Sequence, residues 1–451
     1  MKGRKGKMGE SVKKITLALL TVLLSIGLVA CSDGEEDAGA ASDSGSSNEL
    51  SGEVTMWTAS LSGEPFDSYF ADLEQQFEKI HPNLDVIIED IPQGEIEQKV
   101  LTSLTTDDVP DLVNLAPRYM VSIAAQGGLL ELDDLVSEGT KRSFLEGPFE
   151  SGYFDDHLYA LPWYLTTTVS WYNDNHFEQA NVTKPPQSTK EIYDTAKTIT
   201  EATGNPSYYQ IINEGDTVIQ KMITLANGEP IVEEGKTVLA DNEAIVEFFT
   251  LTQQMYEEGI MPQENAEGSF STAQELYMAG NLSLLESGVT FLGPIESGAP
   301  ETYEVSKAGQ PLNDPNAPVN VAVMNFSIPA KTKNPDAAVA LAEYVTNAEN
   351  QLEFAKVAGT VLPSTKESLE AVYFTDPGDS PKALGMLEAS KTLERSKVLI
   401  PPLENSAELR EIVKMAFVKN LQGEVTSEEA LKEIAEKWDT SFEETGIAPT
   451  F

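Results

Sequence analysis

Apolar positions along the chain repeat with strand and helix periods in turn. The pattern predicts strands at 54–59, 84–88, 111–115, 169–172, 208–212 and 320–328. It predicts helices at 66–80, near 96–104, after 115 and ending at 127–128, and at 188–203, 216–227, 241–259, 270–279 and 335–346, with a mostly helical region after 364. Strand and helix alternation implies an α/β protein with a parallel sheet and helices on both of its faces.

Several helix starts carry their own signals. Ser188 and Glu191 have capping-box spacing, as do Thr426 and Glu429. Asp241 is predicted as an N-cap, and Asn334 followed by Pro335 predicts an N-cap with proline in the first helical position.

The first 30 residues have the composition of a signal peptide. Six basic residues precede an uncharged apolar run, 15–30, whose 16 residues fall short of the roughly 20 that a spanning helix needs. Leu28-Val-Ala-Cys31 looks like a bacterial lipobox, in which Cys31 becomes the lipid-modified N-terminus, and Cys31 is the only cysteine of the chain. The alternative is an N-terminal membrane anchor helix.

Residues 31–49 predict a disordered tether. The stretch 32–49 contains no aromatic or branched aliphatic side chain, so burial cannot offset the entropy lost on ordering. The folded part therefore begins near Leu50, on the outer face of the cell membrane.

The charge of the chain excludes some functions. There are 73 acidic and 30 basic residues, a net charge of −43, which leaves little from which to build a phosphate-binding face, so no nucleic-acid partner is expected. One cysteine and three histidines cannot make a disulfide or a zinc-finger array, and no metal or cofactor is expected.

Six phrases, in order, resemble the carbohydrate-binding branch of the extracellular solute-binding proteins of ABC importers. They are VTMWTASLSGE (54–64), FEKIHPNLDVIIE (77–89), PDLVNLAPRYMVSIAAQGGLLELDDL (110–135), YALPWYLTTTVSWYNDNHF (159–177), MAGNLSLLESGVTFLG (278–293) and FSIPAKTKNPDAAVALAEYV (326–345). Together they span nearly all of residues 50–451.

The resemblance implies a two-lobed fold of the periplasmic-binding-protein kind. Crossover strands are expected near 161–168, 320–328 and 361–364. Lobe one would then comprise 50–163 plus 326–362, and lobe two 164–325 plus 363–451, with each lobe discontinuous. Three crossings form a hinge that closes around a ligand.

The resemblance also implies a function: a lipid-anchored, monomeric receptor captures a saccharide and delivers it to a permease with cytoplasmic ATPases. Sugars need aromatic platforms and polar side chains, which the ends of α/β strands supply. The expected ligand contacts are Trp57, Ser60, Glu64, Asn114, Arg118, Trp163, Thr166, Thr290 and Phe291. Trp438, in an amphipathic helix, is expected in a core, and so is Trp171 or its neighbour Tyr172.

Two alternatives stay open: a secreted glycoside hydrolase and a binder of a non-sugar solute. Acidic pairs suited to glycoside hydrolysis are unavoidable at this composition, so they do not favour an enzyme. The chain has no G-x-S-x-G, P-loop or H-E-x-x-H motif, so we expect a binding protein.

Overall fold

The computed structural model describes residues 49–106, 108–213, 215–403 and 405–446. The predicted signal peptide, Cys31 and nearly all of the predicted tether lie outside the described residues. In the part of the chain that the structure describes, no helix has both the length and the apolar character needed to cross a membrane.

The described strands, in chain order, are β1 Gly52–Ala59, β2 Leu84–Ile91, β3 Leu112–Leu115, β4 Tyr153–Phe154, β5 His157–Leu158, β6 Ala160–Thr167, β7 Val169–Asn173, β8 Tyr208–Tyr209, β9 Val232–Glu233, β10 Lys236–Thr237, β11 Leu284–Ser287, β12 Ser306–Gly309, β13 Val319–Ser327, β14 Leu362–Pro363 and β15 Ser396–Lys397. The helices are α1 Phe66–Ile80, α2 Ile96–Thr106, α3 Pro117–Ala124, α4 Glu138–Ser143, α5 Glu146–Glu150, α6 Asp174–Gln179, α7 Thr189–Thr203, α8 Asp216–Ala226, α9 Glu243–Glu257, α10 Phe270–Met278, α11 Leu292–Gly298, α12 Pro300–Glu304, α13 Pro335–Val345, α14 Ala348–Ala358, α15 Lys366–Leu369, α16 Val372–Thr375, α17 Pro381–Thr392, α18 Ser406–Leu421 and α19 Ser427–Thr445. Short 3₁₀ turns occur at Leu239–Asp241, Gln263–Ala266, Val289–Phe291 and Leu393–Arg395.

Two main sheets define two lobes. A seven-stranded sheet has the order β14-β6-β13-β3-β1-β2, with β15 paired to β13, and a four-stranded sheet has the order β12-β7-β11-β8. The fold is therefore the expected two-lobed α/β type, with β2, β1 and β3 at the centre of lobe one and the four-stranded sheet at the centre of lobe two.

The sheets are mixed, whereas the sequence pattern predicted a parallel one. The pairs within β2-β1-β3, the β11–β8 pair and the β13–β15 pair are parallel, whereas β13 runs antiparallel to β3 and β6, and β14 antiparallel to β6. The reason is that β6, β13 and β14 are the crossover strands, and consecutive crossings between two lobes run in opposite directions.

The crossover strands pair with one another along the hinge. Thr166 of β6 faces Ala322 of β13, and the register shifts between Met324 and Asn325, so Trp163 is an extra residue in β6. A shift of this kind is a β-bulge, which bends a strand.

Residues that follow the predicted third crossing contact elements assigned to lobe one. Phe144 bridges to Thr365, and the Ser368 hydroxyl donates to the Ala348 carbonyl at 2.7 Å, so residues as far as Ser368 still contact elements of lobe one.

The helix starts follow the sequence with two differences. Thr426 and Glu429 form a complete capping box, and the Ser188 hydroxyl accepts from Glu191 N, whereas Glu191 itself accepts from Gln187 N. The cap of α9 is Asn242, not Asp241. Asn334 and Pro335 are the N-cap and first residue of α13 as predicted, but the Asn334 side chain donates to the Glu53 carbonyl and makes no capping hydrogen bond.

Candidate functional site

Two adjoining cavities open beside the crossover strands. The first, the lobe-two cavity, has a volume of 410 Å³ and lies over β8, β11 and α8; the second, the interlobe cavity, has a volume of 420 Å³ and is lined from both lobes. Thr166, Gln220, Asn320 and Ala322 line both. Three of these four are on β6 and β13, so the crossover strands form the shared floor of one cleft.

Neutral polar side chains dominate the lobe-two cavity. Its hydroxyl and amide groups include those of Thr166, Gln210, Asn213, Thr217, Gln220 and Asn313. Phe270, 36% exposed, supplies an aromatic ring, whereas Tyr209 is 1% exposed and its hydroxyl donates to the Glu264 carbonyl at 3.4 Å. Burial raises the pKa of Tyr209 to about 12.

A buried ion pair forms part of this wall. Lys221 Nζ lies 3.0 Å from Glu286 Oε2 and donates to the Leu312 carbonyl at 2.6 Å, while Leu312 N donates to Glu286 Oε1 at 2.8 Å. The Lys221 side chain is 6% exposed and that of Glu286 17%. Each charge has a second hydrogen-bond partner, which a desolvated pair needs.

The interlobe cavity has arginines on opposite walls. Arg118, the second residue of α3, comes from lobe one, and Arg410 of α18 comes from lobe two. Arg410 Nη1 lies 3.2 Å from Asp216 Oδ2, whereas the Arg118 guanidinium lies 4.5 Å from the Tyr119 ring centroid. Tyr164 lies between the walls, and burial, with a contribution from Asp90, raises its pKa to about 12.

Three of the predicted contact residues line these cavities. Thr166 lines both, Arg118 the interlobe cavity and Thr290 the lobe-two cavity. Ser60 and Glu64 are exposed but line neither; Ser60 Oγ accepts from Gln93 N at 2.9 Å, and Glu64 accepts from the Ser68 hydroxyl.

Four of the predicted contact residues are core residues instead. Trp163 is fully buried, with ring centroids of Phe354 and Phe326 at 4.2 and 4.7 Å. Trp57 is 7% exposed, packs with the residues of α2 and α3, and has the Lys99 ammonium 4.1 Å from its ring centroid. These two tryptophans therefore present no platform to the cleft.

The other two predicted contacts that lie in a core are Asn114 and Phe291. Asn114 is fully buried and donates to the Asn325 carbonyl at 3.0 Å, which ties β3 to β13. Phe291 is fully buried, 5.4 Å from the Tyr277 ring. Trp171 and Trp438 are also fully buried, as expected of core residues, and donate to the Gly288 and Leu409 carbonyls.

Four residues that line the cavities were not predicted from the sequence: Lys221, Glu286, Gln220 and Asn320. A usable signal existed for the charged pair, because Lys221 is the only charged residue after the first position of α8 and Glu286 is the only one in β11. A single charge inside an otherwise apolar element predicts either a buried pair or a binding site.

Two lobes, three paired crossover strands and a polar cleft on the hinge define a hinged ligand-binding protein. Residues 59–352 match the family model of bacterial extracellular solute-binding proteins, and the chain belongs to that family.

Named relatives show the same likeness. The chain is 29% identical to the diacetylchitobiose binding protein DasA of Streptomyces coelicolor over 222 residues. These residues are 46% of this chain and 50% of DasA. It is 23% identical to the galactooligosaccharide-binding protein of Bacillus subtilis, over 89% of this chain and 90% of the relative. A solved periplasmic-binding protein of Synechococcus sp. MITs9220 superposes with a TM-score of 0.74 at 28% identity, covering 88% of this chain and 100% of that one.

Proposed function

We propose that the protein is a lipid-anchored receptor that captures a saccharide between its lobes and delivers it to an ABC permease driven by cytoplasmic ATPases. The observation that carries this proposal is the cleft itself, where hydroxyl and amide side chains of lobe two meet groups of lobe one across β6 and β13. The names of the DasA and galactooligosaccharide-binding relatives support a saccharide as the ligand.

The proposed contacts begin with Thr166, Arg118 and Thr290, which the sequence indicated, and add Gln220, Lys221 and Glu286. Phe270, which is 36% exposed, replaces the two tryptophans as a ring surface for the C–H faces of a sugar. Ser60 and Glu64, in the loop after β1, remain proposed contacts that would reach the ligand on closure.

The proposed lobes keep the sequence-based boundaries, with one change. Lobe one comprises 50–163 and 326–362, and we extend it to about Ser368 because of the contacts with Ala348 and Phe144. Closure is favoured only by a ligand that contacts both lobes, since a ligand equally bound in open and closed states shifts nothing.

A thermal-shift screen with a panel of mono- and oligosaccharides tests this function. A ligand present at 100 times its Kd stabilises the folded state by about 2.7 kcal/mol. Gln220→Ala should weaken that ligand about 3- to 10-fold through a lost hydrogen bond. Gln422→Ala, an exposed glutamine at the end of α18, is the matched control and should bind as the parent does.

Two results would contradict the proposal. If no saccharide shifts the melting temperature while another class of solute does, the ligand is not a sugar. If glycans incubated with the protein release shorter products, the protein is a hydrolase rather than a receptor.

A further inference from the structure

Among the described residues, the interlobe cavity is lined by two cations and one anion. These are Arg118, Arg410 and the carboxylate of Asp216, in a chain that has 73 acidic residues for 30 basic ones. The charged described residues of the lobe-two cavity are Lys221 and Glu286, which neutralise each other. Within the described lining of the cleft, the excess of positive charge therefore lies in the interlobe part.

Arg118 supplies that excess. Asp216 already pairs with Arg410, and no ion pair between described residues involves Arg118. Its Nη2 donates to the Tyr119 hydroxyl at 2.7 Å. A guanidinium has five N–H donors, so this single neutral contact leaves Arg118 able to take two oxygens of an oxyanion side by side.

The backbone adds to the same field. Three helices, α3, α8 and α18, begin at this cavity, which Pro117, Asp216 and Ser406 line as their first residues. None of the three has a side-chain hydrogen bond from its N-cap residue. Helix N-termini carry partial positive charge, and the N-cap side chains of these three helices do not use the free N–H groups.

The starts of α8 and α18 are held against each other. Gly215, the N-cap of α8, has φ +98°, and a Cβ at this position would lie 2.3 Å from the Arg410 carbonyl oxygen. This close approach fixes Asp216 and Arg410 as one wall, opposite Arg118.

We infer that the cleft recognises an acidic saccharide, with a neutral ring in the lobe-two cavity and a carboxylate at Arg118 in the interlobe cavity. The inference rests on the proposed function and narrows its ligand class. A planar carboxylate matches the arginine fork, and Arg118 would contact it from lobe one while the ring is held by lobe two. An acidic sugar thereby links both lobes and favours closure.

The test compares digalacturonate with its methyl ester, which has the same skeleton without the charge, by calorimetric titration at constant ionic strength. The acid should bind the parent about 10- to 100-fold more tightly than the ester. Arg118→Gln should weaken the acid far more than the ester and so remove most of that difference, and Arg118→Lys should keep part of it. Arg142→Gln is the control, because Arg142 is likewise an exposed arginine of lobe one, but it pairs with Glu138 and lines neither cavity.

Each outcome decides the inference. Equal binding of acid and ester, or equal losses in the Arg118 and Arg142 variants, would overturn it and leave saccharide capture intact. Preference for a sulfated disaccharide over the uronate would overturn the assignment of a carboxylate to Arg118. If neither these sugars nor any in the thermal-shift panel bind, the proposed function itself fails.

Discussion

Removing the ammonium of the buried Lys221–Glu286 pair should cost far more stability than breaking an exposed pair. Lys221→Met keeps the length and apolar stem of the side chain but leaves the Glu286 carboxylate without its cation. Since both side chains are largely buried, at 6% and 17% exposure, little solvent can replace the ammonium. We expect a loss of about 3–5 kcal/mol in the free energy of unfolding, the range for an uncompensated buried charge.

The structure narrows the expected loss in the free energy of unfolding of Lys221→Met. Glu286 keeps the hydrogen bond from Leu312 N at 2.8 Å and some solvent contact, which places the loss near 3 kcal/mol. Lys221→Met combined with Glu286→Leu removes both charges and should cost less than Lys221→Met alone, because an apolar pair of similar volume needs no desolvation. The two single changes and the double change form a cycle that isolates the coupling.

The assay is urea unfolding at neutral pH, with Lys190→Met as the control. Lys190 pairs with Asp194 at 2.5 Å, but both side chains are 56% exposed, so its loss should cost under about 1 kcal/mol. The reasoning is refuted if Lys221→Met shifts the urea midpoint no more than Lys190→Met does, because Glu286 would then be solvated.

Four further predictions follow from the sequence and the packing. Cys31→Ala should release the protein from membranes; a variant that stays bound after carbonate washing would mean that the run 15–30 is a true anchor. The melting temperature should rise between ~10 mM and ~1 M salt, as the Debye length falls from about 30 to 3 Å and the repulsion within a chain of net charge −43 is screened; a flat response in the melting curves would contradict this. Trp163→Ala should cost about 3–5 kcal/mol in urea unfolding and leave saccharide affinity unchanged, because it empties a core site; loss of affinity without loss of stability would return Trp163 to the cleft. Burial lowers the pKa of His176, so on acidification the unfolded chain takes up a proton at this residue before the folded protein does. The melting temperature should therefore fall as the pH drops below about 6.5, and it should fall less steeply in His176→Asn. Parallel curves of melting temperature against pH for the parent and the variant would contradict a role for His176.

Regular elements could be predicted from the sequence because their signals are local. The helix predicted at 66–80 is α1 residue for residue, and the complete capping box at Thr426 and Glu429 needed only side chains three positions apart. Strand directions depend on which distant segments pair, and the antiparallel course of β13 against β3 and β6 has no local signature.

The cleft residues were harder to predict from the sequence, because a strand that is buried on both sides carries no signal for the face that meets the ligand. In β6 the bulge at Trp163 interrupts the alternation of side chains, so spacing along the strand could not assign Trp163 and Thr166 to its two faces. In the structure Thr166 and Tyr164 line the interlobe cavity, whereas Trp163 lies in the core.

In the proposed capture mechanism the cleft makes two kinds of ligand contact, one from the shared floor and one from the walls. Thr166, Asn320 and Ala322 lie on the paired strands β6 and β13, close to the axis about which the lobes would turn, so their distances to a bound ligand should change little on closure. Arg118 and Arg410 lie on opposite walls, so their separation changes most. A ligand that touches only the floor would bind open and closed forms alike and would not drive closure. Selectivity for transport should therefore depend on the walls, whereas the floor contributes affinity common to both states.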